Sequence, residues 1–104
     1  MFTLSEENYL KAIYHLQTIS RKGISTNSIA KKLKTKASSV TDMIKKLADK
    51  KVLVYKKYQG VTLTDLGKQI ATGVIRKHRL WEVFLVDKLN FSWDEVHDVA
   101  EQLE

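Results

Sequence analysis

Residues 26–47 constrain the fold of this chain more than any other stretch. They contain two short segments with a helical spacing of apolar residues, separated by a polar break at positions 34–36. In the second segment, the i, i+3, i+4, i+7 spacing of one helical face is followed by Val40, Met43, Ile44 and Leu47. Two helices this short, joined by a short turn, must cross steeply and share one small core. The stretch therefore predicts a helix-turn-helix, whose second helix lies in the major groove of DNA.

The second helix is expected to present a polar face to DNA. Short hydroxyls lie near its N-terminal end, and lysines lie further along. Hydroxyls contact base edges or phosphates at close range, and lysines neutralise phosphates. We predict base contacts from Ser38, Ser39, Thr41 and Asp42. We predict phosphate contacts from Thr26, Lys36, Lys45, Lys46, Lys56 and Lys57.

Two interpretations of this surface stay open. An acidic side chain is unusual beside phosphates, so Asp42 either accepts a hydrogen bond from a cytosine amine or points away from the DNA. More broadly, the stretch is either a DNA-binding element or a helical hairpin whose basic face is only solvated. The surrounding chain favours the DNA-binding element.

Charge is distributed unevenly along the chain. The formal net charge is +6, but residues 1–60 carry 13 Lys and Arg against 4 Asp and Glu, whereas residues 61–104 carry 5 against 8. A basic surface concentrated around the helix-turn-helix is typical of phosphate binding. The acidic second part is expected to have another role.

The composition argues against several other classes of protein. There is no Cys, hence no disulfide framework and no thiolate metal site. No apolar run approaches the roughly 20 residues that cross a bilayer, and the N-terminus lacks the pattern of a signal peptide. A Gly-rich phosphate loop and a nucleophile elbow are also missing. We therefore expect a cytoplasmic protein that is not an enzyme and has neither a membrane partner nor a small-molecule substrate.

A first helix is predicted before the helix-turn-helix. It runs from Ser5 to about Ser20, its N-cap is Thr3 or Ser5, and residues 3–6 fit a capping box. Gly23 is a candidate C-terminal stop for this helix. Ile24 then contacts the core, and Ser25 or the next residue caps the second helix.

A β-hairpin is predicted after the helix-turn-helix. Apolar or β-branched runs at 52–55 and 61–63 flank a basic segment that ends in Gly60. A hairpin in this place would be a wing, with its basic tip along the DNA backbone. The alternative is an ordinary surface hairpin whose lysines only increase solubility.

A long helix is predicted after Thr64. From Leu80 onward it is apolar around much of its circumference, and such a helix is buried on several sides. A chain of this size cannot cover it alone, so we expect a second subunit to do so. A turn at 90–92 and a second capping box then start a last helix.

Potential metal ligands recur at helical spacing in the acidic part. His78 and Glu82 are four residues apart, as are His97 and Glu101, and Glu104 lies three residues further on. Side chains at these spacings share a helix face. Nitrogen and oxygen ligands without thiolate suit Mn, Fe or Zn better than Ca. The alternative is a pair of solvated helix faces, on which such residue pairs are common.

Five motifs in order resemble the diphtheria-toxin-repressor family of metal-dependent transcriptional repressors, which includes iron-dependent repressors and manganese transport regulators. The motifs are NYLKAIYHL, SSVTDMIKKL, GVTLTDLGKQIA, RKHRLWEVFL and WDEVHDVAEQLE. The resemblance implies a homodimeric winged helix with a helical dimerisation region. It also implies that Fe(II) or Mn(II) binds between the domains, favours the DNA-binding geometry and so represses metal-uptake genes.

The resemblance assigns metal ligands residue by residue. His78, Glu82 and His97 match the ancillary ligands of iron-type members, and Glu101 and Glu104 match ligands of the primary or binuclear site. Glu101 stands where iron-type members often have Cys, which favours the harder Mn(II).

Two positions on the first helix depart from the family pattern. Asn8 occupies a ligand position that is Met in iron-type and Asp in manganese-type members, and its amide oxygen would bind a cation more weakly. Lys11 stands where some manganese-type members have a Glu ligand, and an ammonium group cannot coordinate a metal. In addition, the family pattern continues with a His immediately after the residue that matches Glu104, and the present sequence stops at Glu104.

Together these observations predict a mainly α protein, with a winged helix-turn-helix DNA-binding domain over 1–63 and a helical dimerisation and metal-binding region over 64–104. The expected function is a homodimeric repressor that uses Mn(II) or Fe(II), binds a palindromic operator in double-stranded DNA and controls metal uptake. The alternatives are a winged-helix regulator that lacks metal control or senses a small organic ligand, and a metal-buffering protein.

Overall fold

The computed structural model describes residues 2–20, 22–57, 59–89 and 93–103. Within these ranges the elements are α1 (Leu4–Ile19), α2 (Thr26–Leu33), α3 (Ala37–Asp49), β1 (Leu53–Lys56), β2 (Gly60–Leu63), α4 (Asp65–Leu89) and α5 (Trp93–Leu103). The predicted mainly α fold with a helix-turn-helix and a wing is confirmed. The chain divides into two compact units, Met1–Ala71 and Thr72–Glu104, here called the N-terminal and the C-terminal unit, and α4 contributes residues to both.

The capping box predicted at the start of α1 is present. The Thr3 backbone N–H donates to Glu6 Oε1 at 2.8 Å, and the Glu6 N–H donates to Thr3 Oγ1 at 3.1 Å. The two side chains thereby satisfy backbone donors that the first helical turn leaves without partners. The helix ends at Ile19, because Ser20 is extended and its N–H donates to the Leu16 carbonyl.

The predicted role of Gly23 as a C-terminal stop is wrong. Ser20 is the C-cap of α1, and Gly23 lies beyond it against the wing. A Cβ atom at Gly23 would lie 1.8 Å from the carbonyl oxygen of Gln59, so only glycine fits this approach of two backbones. On the wing side, Gly60 has φ +85°, a conformation that side chains rarely adopt.

Short local signals set the bounds of the helix-turn-helix. Ser25 caps α2, because its Oγ accepts from the Ser28 N–H at 3.1 Å. The helix ends at Leu33, its C-cap Lys34 is left-handed with φ 54°, and the Thr35 N–H donates to the Ala30 carbonyl at 3.0 Å. Helix α3 begins at Ala37, three residues after Lys34, so the turn is as short as the sequence predicted.

The wing is a two-stranded antiparallel sheet. Leu53 pairs with Leu63, and Lys56 pairs with Gly60. Ile24 forms an isolated bridge with Val61 that ties the segment before α2 to the sheet. This wing packs on the same core as the first three helices, whose fully buried members include Leu10, Ile13, Ile29, Val40, Leu47, Val52 and Val61.

Among the described residues, the C-terminal unit has a smaller buried core than the N-terminal unit. Leu85 on α4 packs against Val96 and Ala100 on α5, and partly buried residues such as Trp81 surround them. The predicted turn at 90–92, including the second capping serine, lies outside the described residues.

Among the helices that the structure describes, none has the length and apolar character that a membrane span requires. Helix α4 begins after Thr64, whose Oγ1 accepts from the Gly67 N–H at 3.1 Å.

Candidate DNA-binding surface and metal centre

Helix α3 has one buried and one exposed stripe. Val40, Ile44 and Leu47 are buried, as the apolar spacing predicted, whereas Met43 on the same face is only half-buried. Two residues away along the helix, and so on its opposite side, Ser38 and Asp42 are exposed. The helix therefore holds a polar stripe away from the core, in the position that a recognition helix uses.

The residues predicted to contact DNA fall into two groups. Those on α3 and in the turn before it are exposed: Lys36, Ser38, Ser39, Thr41, Asp42, Lys45 and Lys46. Lys56 and Lys57 are exposed at the end of β1, beside the turn of the wing, whereas Thr26 is half-buried at the start of α2. The Thr41 hydroxyl already donates a hydrogen bond within the helix, from Oγ1 to the Ala37 carbonyl at 3.1 Å. DNA contact by any of these residues stays a prediction.

A shallow cavity lies between the wing and the start of α2. Its volume is about 240 Å³, and its walls are formed by Gly23, Ser25, Thr26, Tyr55, Gln59 and Gly60. Tyr55 was not predicted to contribute here. Its exposed phenol and the nearby hydroxyls are groups that contact DNA phosphates. Strand alternation would not have identified Tyr55, because its partner across the sheet, Val61, is buried and the last three residues of β1 are all exposed.

A partly buried ion pair links α1 to the end of α3. Glu6 Oε2 lies 2.6 Å from Lys50 Nζ, and Glu6 has no solvent exposure. The Phe2 ring covers the same ammonium group, 4.9 Å from the ring centroid. The Lys50 hydrogen bond, together with those from Thr3, lowers the pKa of Glu6 to about 2. This pair fixes the C-terminal end of the recognition helix, and no sequence pattern predicted it.

Four of the predicted metal ligands come together in the C-terminal unit. Ligand atoms of His78, His97 and Glu101 lie within 4.8 Å of one another. Glu82 Oε2 lies 3.6 Å from His78 Nε2 and 3.7 Å from His97 Nδ1. Glu101 Oε1 lies 3.7 Å from His78 Nδ1, and the two imidazole ring centroids are 5.1 Å apart.

This cluster has the chemistry of a divalent cation site. Its nitrogen–oxygen separations of 3.6 to 3.7 Å are longer than ordinary hydrogen bonds. An imidazole that binds a metal through one nitrogen usually holds its other N–H against an acceptor. His78 is only 8 % exposed and has a carboxylate beside each ring nitrogen, which suits both tasks. The donor set of imidazole and carboxylate fits Mn(II), Fe(II) or Zn(II).

Two other predicted ligands are not part of this cluster. Glu104 lies outside the described residues. Asn8 lies on α1 in the N-terminal unit, where its buried Oδ1 has no hydrogen-bond partner among the residues that the structure describes. It borders a cavity of about 390 Å³ formed with Ser5, Tyr9, Leu33, Thr35, Ser39 and Met43. A buried acceptor without a partner is costly, so Asn8 is suited to accept from a ligand or water. Its role as a metal ligand stays a prediction.

The fold and the cluster together define a class, the winged helix-turn-helix proteins with a helical unit rich in imidazole and carboxylate groups. Two family models match nearly the whole chain. The iron dependent repressor N-terminal DNA binding domain matches residues 1–61, and the iron dependent repressor metal binding and dimerisation domain matches residues 64–104. The chain belongs to the iron-dependent repressor family, as the resemblance in its motifs predicted.

Relatives and solved structures agree with this assignment. The HTH-type transcriptional regulator MntR of Bacillus subtilis (strain 168) is 42% identical over 86 residues, which are 82% of this chain and 59% of that protein. MntR of Bacillus pumilus (strain SAFR-032) is 37% identical over 105 residues, 100% of this chain and 71% of that protein. A structure described as a manganese-dependent transcriptional repressor complex with manganese is 41% identical with a TM-score of 0.81, over 94% of this chain and 44% of that one.

The chain spans only part of the length of several of these proteins. It matches about six tenths of the Bacillus subtilis regulator and less than half of the solved repressor chain. The matched family models describe repressors and not enzymes.

Proposed function

We propose that this chain acts as a metal-dependent homodimeric transcriptional repressor, which binds a palindromic operator in cytoplasmic DNA and controls metal uptake. The observation that carries the proposal is the gathering of His78, His97 and Glu101 in a chain whose other unit is a winged helix. Two recognition helices, one from each subunit, would enter successive major grooves about 34 Å apart.

The expected metal is Mn(II), with Fe(II) as the second choice. Carboxylate oxygens and imidazole nitrogens without thiolate favour these ions, and several relatives are named as manganese regulators. A divalent cation would supply positive charge between the Glu82 and Glu101 carboxylates and so connect α4 to α5. In the absence of such charge, the two carboxylates repel each other and oppose the approach of the helices.

The homodimer is supported by apolar residues left exposed on α4. Leu80 is 63% exposed and Phe84 is 44% exposed, and Val83 lies beside them. Exposed apolar residues grouped on one helix are typical of a protein interface. A second copy of the same helix would cover them in a symmetric dimer.

Repression then follows from a population shift. A dimer whose helical regions are loosely held meets the spacing of the two grooves only part of the time. The His78, His97 and Glu101 side chains, once held together, restrict that region, so the DNA-competent form becomes more populated. The strength of metal control equals the coupling free energy between the metal and DNA sites.

The test begins with an operator selected from a randomised duplex pool in Mn(II). Fluorescence anisotropy then measures the affinity for the operator with chelator, with Mn(II), and anaerobically with Fe(II). We expect metal to tighten binding at least tenfold, about 1.4 kcal/mol of coupling, and His78→Ala and Glu101→Ala to abolish the gain. Asp98→Ala is the matched control, because Asp98 is an exposed acid on α5 outside the cluster.

The subunit arrangement is measured in parallel by sedimentation. Phe84→Asp should dissociate the dimer, whereas Ile19→Asp should not, because Ile19 is an exposed apolar residue of α1 in the other unit.

One observation favours a second candidate, a winged-helix regulator that has lost metal control. Lys11 on α1 cannot coordinate a metal, and Asn8 contributes no charge. Operator binding that is equally tight in chelator and in Mn(II) would support this candidate and contradict the metal switch.

A further inference from the structure

Asp42 lies at the centre of the exposed stripe of the recognition helix. It follows Ser38 by four residues and precedes Lys45 by three, so the three side chains share a face. The buried Val40 and Ile44 are each offset from Asp42 by two residues, about 200° around the helix. Asp42 therefore lies almost opposite the core, where a side chain meets base edges before it meets phosphates.

The Asp42 carboxylate is available to a ligand. Lys45 and Lys46 lie at i+3 and i+4, the usual spacings for an ion pair on a helix. Even so, the Asp42 side chain makes no hydrogen bond or ion pair in the part of the chain that the structure describes, and it is exposed. The carboxylate is thus not neutralised by its own helix.

An ionised carboxylate in the major groove distinguishes between bases because it can only accept hydrogen bonds. Guanine presents the acceptors N7 and O6 there, and thymine presents O4, so both repel it. Adenine presents an N6 donor beside the acceptor N7, whereas cytosine presents its N4 amine donor. Cytosine is consequently the base that a lone carboxylate matches best, and a site that lacks it leaves the charge unpaired and desolvated.

We propose that Asp42 specifies a cytosine at one base pair of each operator half-site by accepting a hydrogen bond from its N4 amine. This inference rests on the proposed DNA-binding function and names a specificity determinant within it. The same charge weakens binding to every other sequence, because it opposes the phosphate attraction of the neighbouring lysines. Asp42 thus lowers non-specific affinity while it raises preference at one position.

The test compares base preferences by sequencing duplexes selected from a randomised pool in Mn(II). The proteins are the wild type, Asp42→Asn and Asp42→Ala, all as full chains. Asn pairs with adenine N6 and N7, so Asp42→Asn should change the preferred base from cytosine to adenine at one position per half-site. Asp42→Ala should lose the preference there, by about ten- to a hundredfold, and should bind random duplexes a few times more tightly.

Asp49→Asn is the matched control. Asp49 is exposed on the same stripe of α3, seven residues and about 10 Å further along the helix. Removal of its charge should raise non-specific affinity to a similar degree and leave every base preference unchanged. Urea unfolding checks that all four proteins are equally stable.

The outcomes separate the inference from the function on which it rests. If the wild type selects an operator and both Asp42 variants select the same bases at every position, the role of Asp42 is overturned while the repressor proposal stands. The same holds if Asp42→Ala weakens binding uniformly across sequences. If the wild type selects no sequence at all, both proposals fall.

Discussion

The two units of this chain differ in how their apolar side chains are buried. The N-terminal unit closes a continuous core from α1, α2, α3 and the wing, and its predicted DNA-binding residues lie outside that core. Among the described residues, the apolar cluster of the C-terminal unit is formed by Leu85, Val96 and Ala100, while Leu80 and Phe84 are exposed. The described core of the first unit is thus larger, whereas the second would gain stability from the proposed cation and second subunit.

The charged groups of the two units also differ in their exposure and in the distances to their partners. In the N-terminal unit, Glu6 is sealed from water and held 2.6 Å from Lys50. In the C-terminal unit, Glu82 and Glu101 are partly exposed and lie 3.6 to 3.7 Å from imidazole nitrogens. The first arrangement is a closed ion pair, and the second is a set of candidate ligands that a cation would bring together.

The largest expected effect tests how closely the N-terminal unit is packed. A Cβ atom at Gly67, near the start of α4, would lie 1.9 Å from the Val52 carbonyl oxygen. That oxygen also accepts from the Thr64 N–H at 3.1 Å, so displacing it breaks a hydrogen bond. We expect Gly67→Ala to lower the free energy of unfolding by about 3 kcal/mol, measured by urea denaturation.

Gly73→Ala is the reference for this variant, because it makes the same chemical change further along α4. A loss below about 1 kcal/mol for Gly67→Ala would mean that the backbone at Val52 moves easily away from α4. The contrast between a closed and an open unit would then be wrong.

An effect of intermediate size tests the Glu6–Lys50 pair. Glu6→Gln keeps an acceptor for the capping box but removes the charge. Because the native pKa of Glu6 is about 2, below its ordinary value of 4.5, the pair contributes stability above pH 4.5 that is lost as pH falls towards 2. We expect Glu6→Gln to cost on the order of 2 kcal/mol at pH 7 and almost nothing near pH 2.

The measurement is urea unfolding of both proteins across this pH range. Glu7→Gln is the control, because it removes a charge from the same helical turn without touching Lys50. Two stability curves that run parallel from pH 7 to pH 2 would contradict a charge-based role for Glu6.

Sequence patterns predicted the local features of the N-terminal unit better than its long-range contacts. The spacing of Val40, Ile44 and Leu47 and the capping box at Thr3 depend on residues within a few positions, and both predictions were confirmed. The role of Gly23 was predicted wrongly, because its neighbour Gln59 is remote in sequence. The Glu6–Lys50 pair joins residues 44 positions apart, and no periodicity signals such a contact.

The candidate metal site could be predicted from the sequence only in part. The i, i+4 pairs on α4 and α5 indicated which residues share a helix face, and the resemblance indicated their chemistry. Neither source could supply the crossing of the helices that brings His78 within reach of Glu101. That crossing depends on how Leu85, Val96 and Ala100 pack, which spacing within a single helix does not determine.

The smallest expected effect tests the openness of the C-terminal unit. Gly73 is an exposed helical residue, and a Cβ atom there would meet nothing within 4 Å. Alanine is favoured over glycine inside a helix by about 1 kcal/mol because the unfolded chain loses less entropy. We expect Gly73→Ala to stabilise the protein by about 0.5 to 1 kcal/mol, opposite in sign to Gly67→Ala, in urea unfolding at low protein concentration.

Repeating the experiment at concentrations where the dimer forms then tests whether this face of α4 is covered in the dimer. The same stabilisation at both concentrations means that this face stays in solvent in the dimer. A stabilisation that disappears or changes sign on dimerisation would mean that a second chain packs directly on Gly73, so that the open side of α4 extends the interface begun by Leu80 and Phe84.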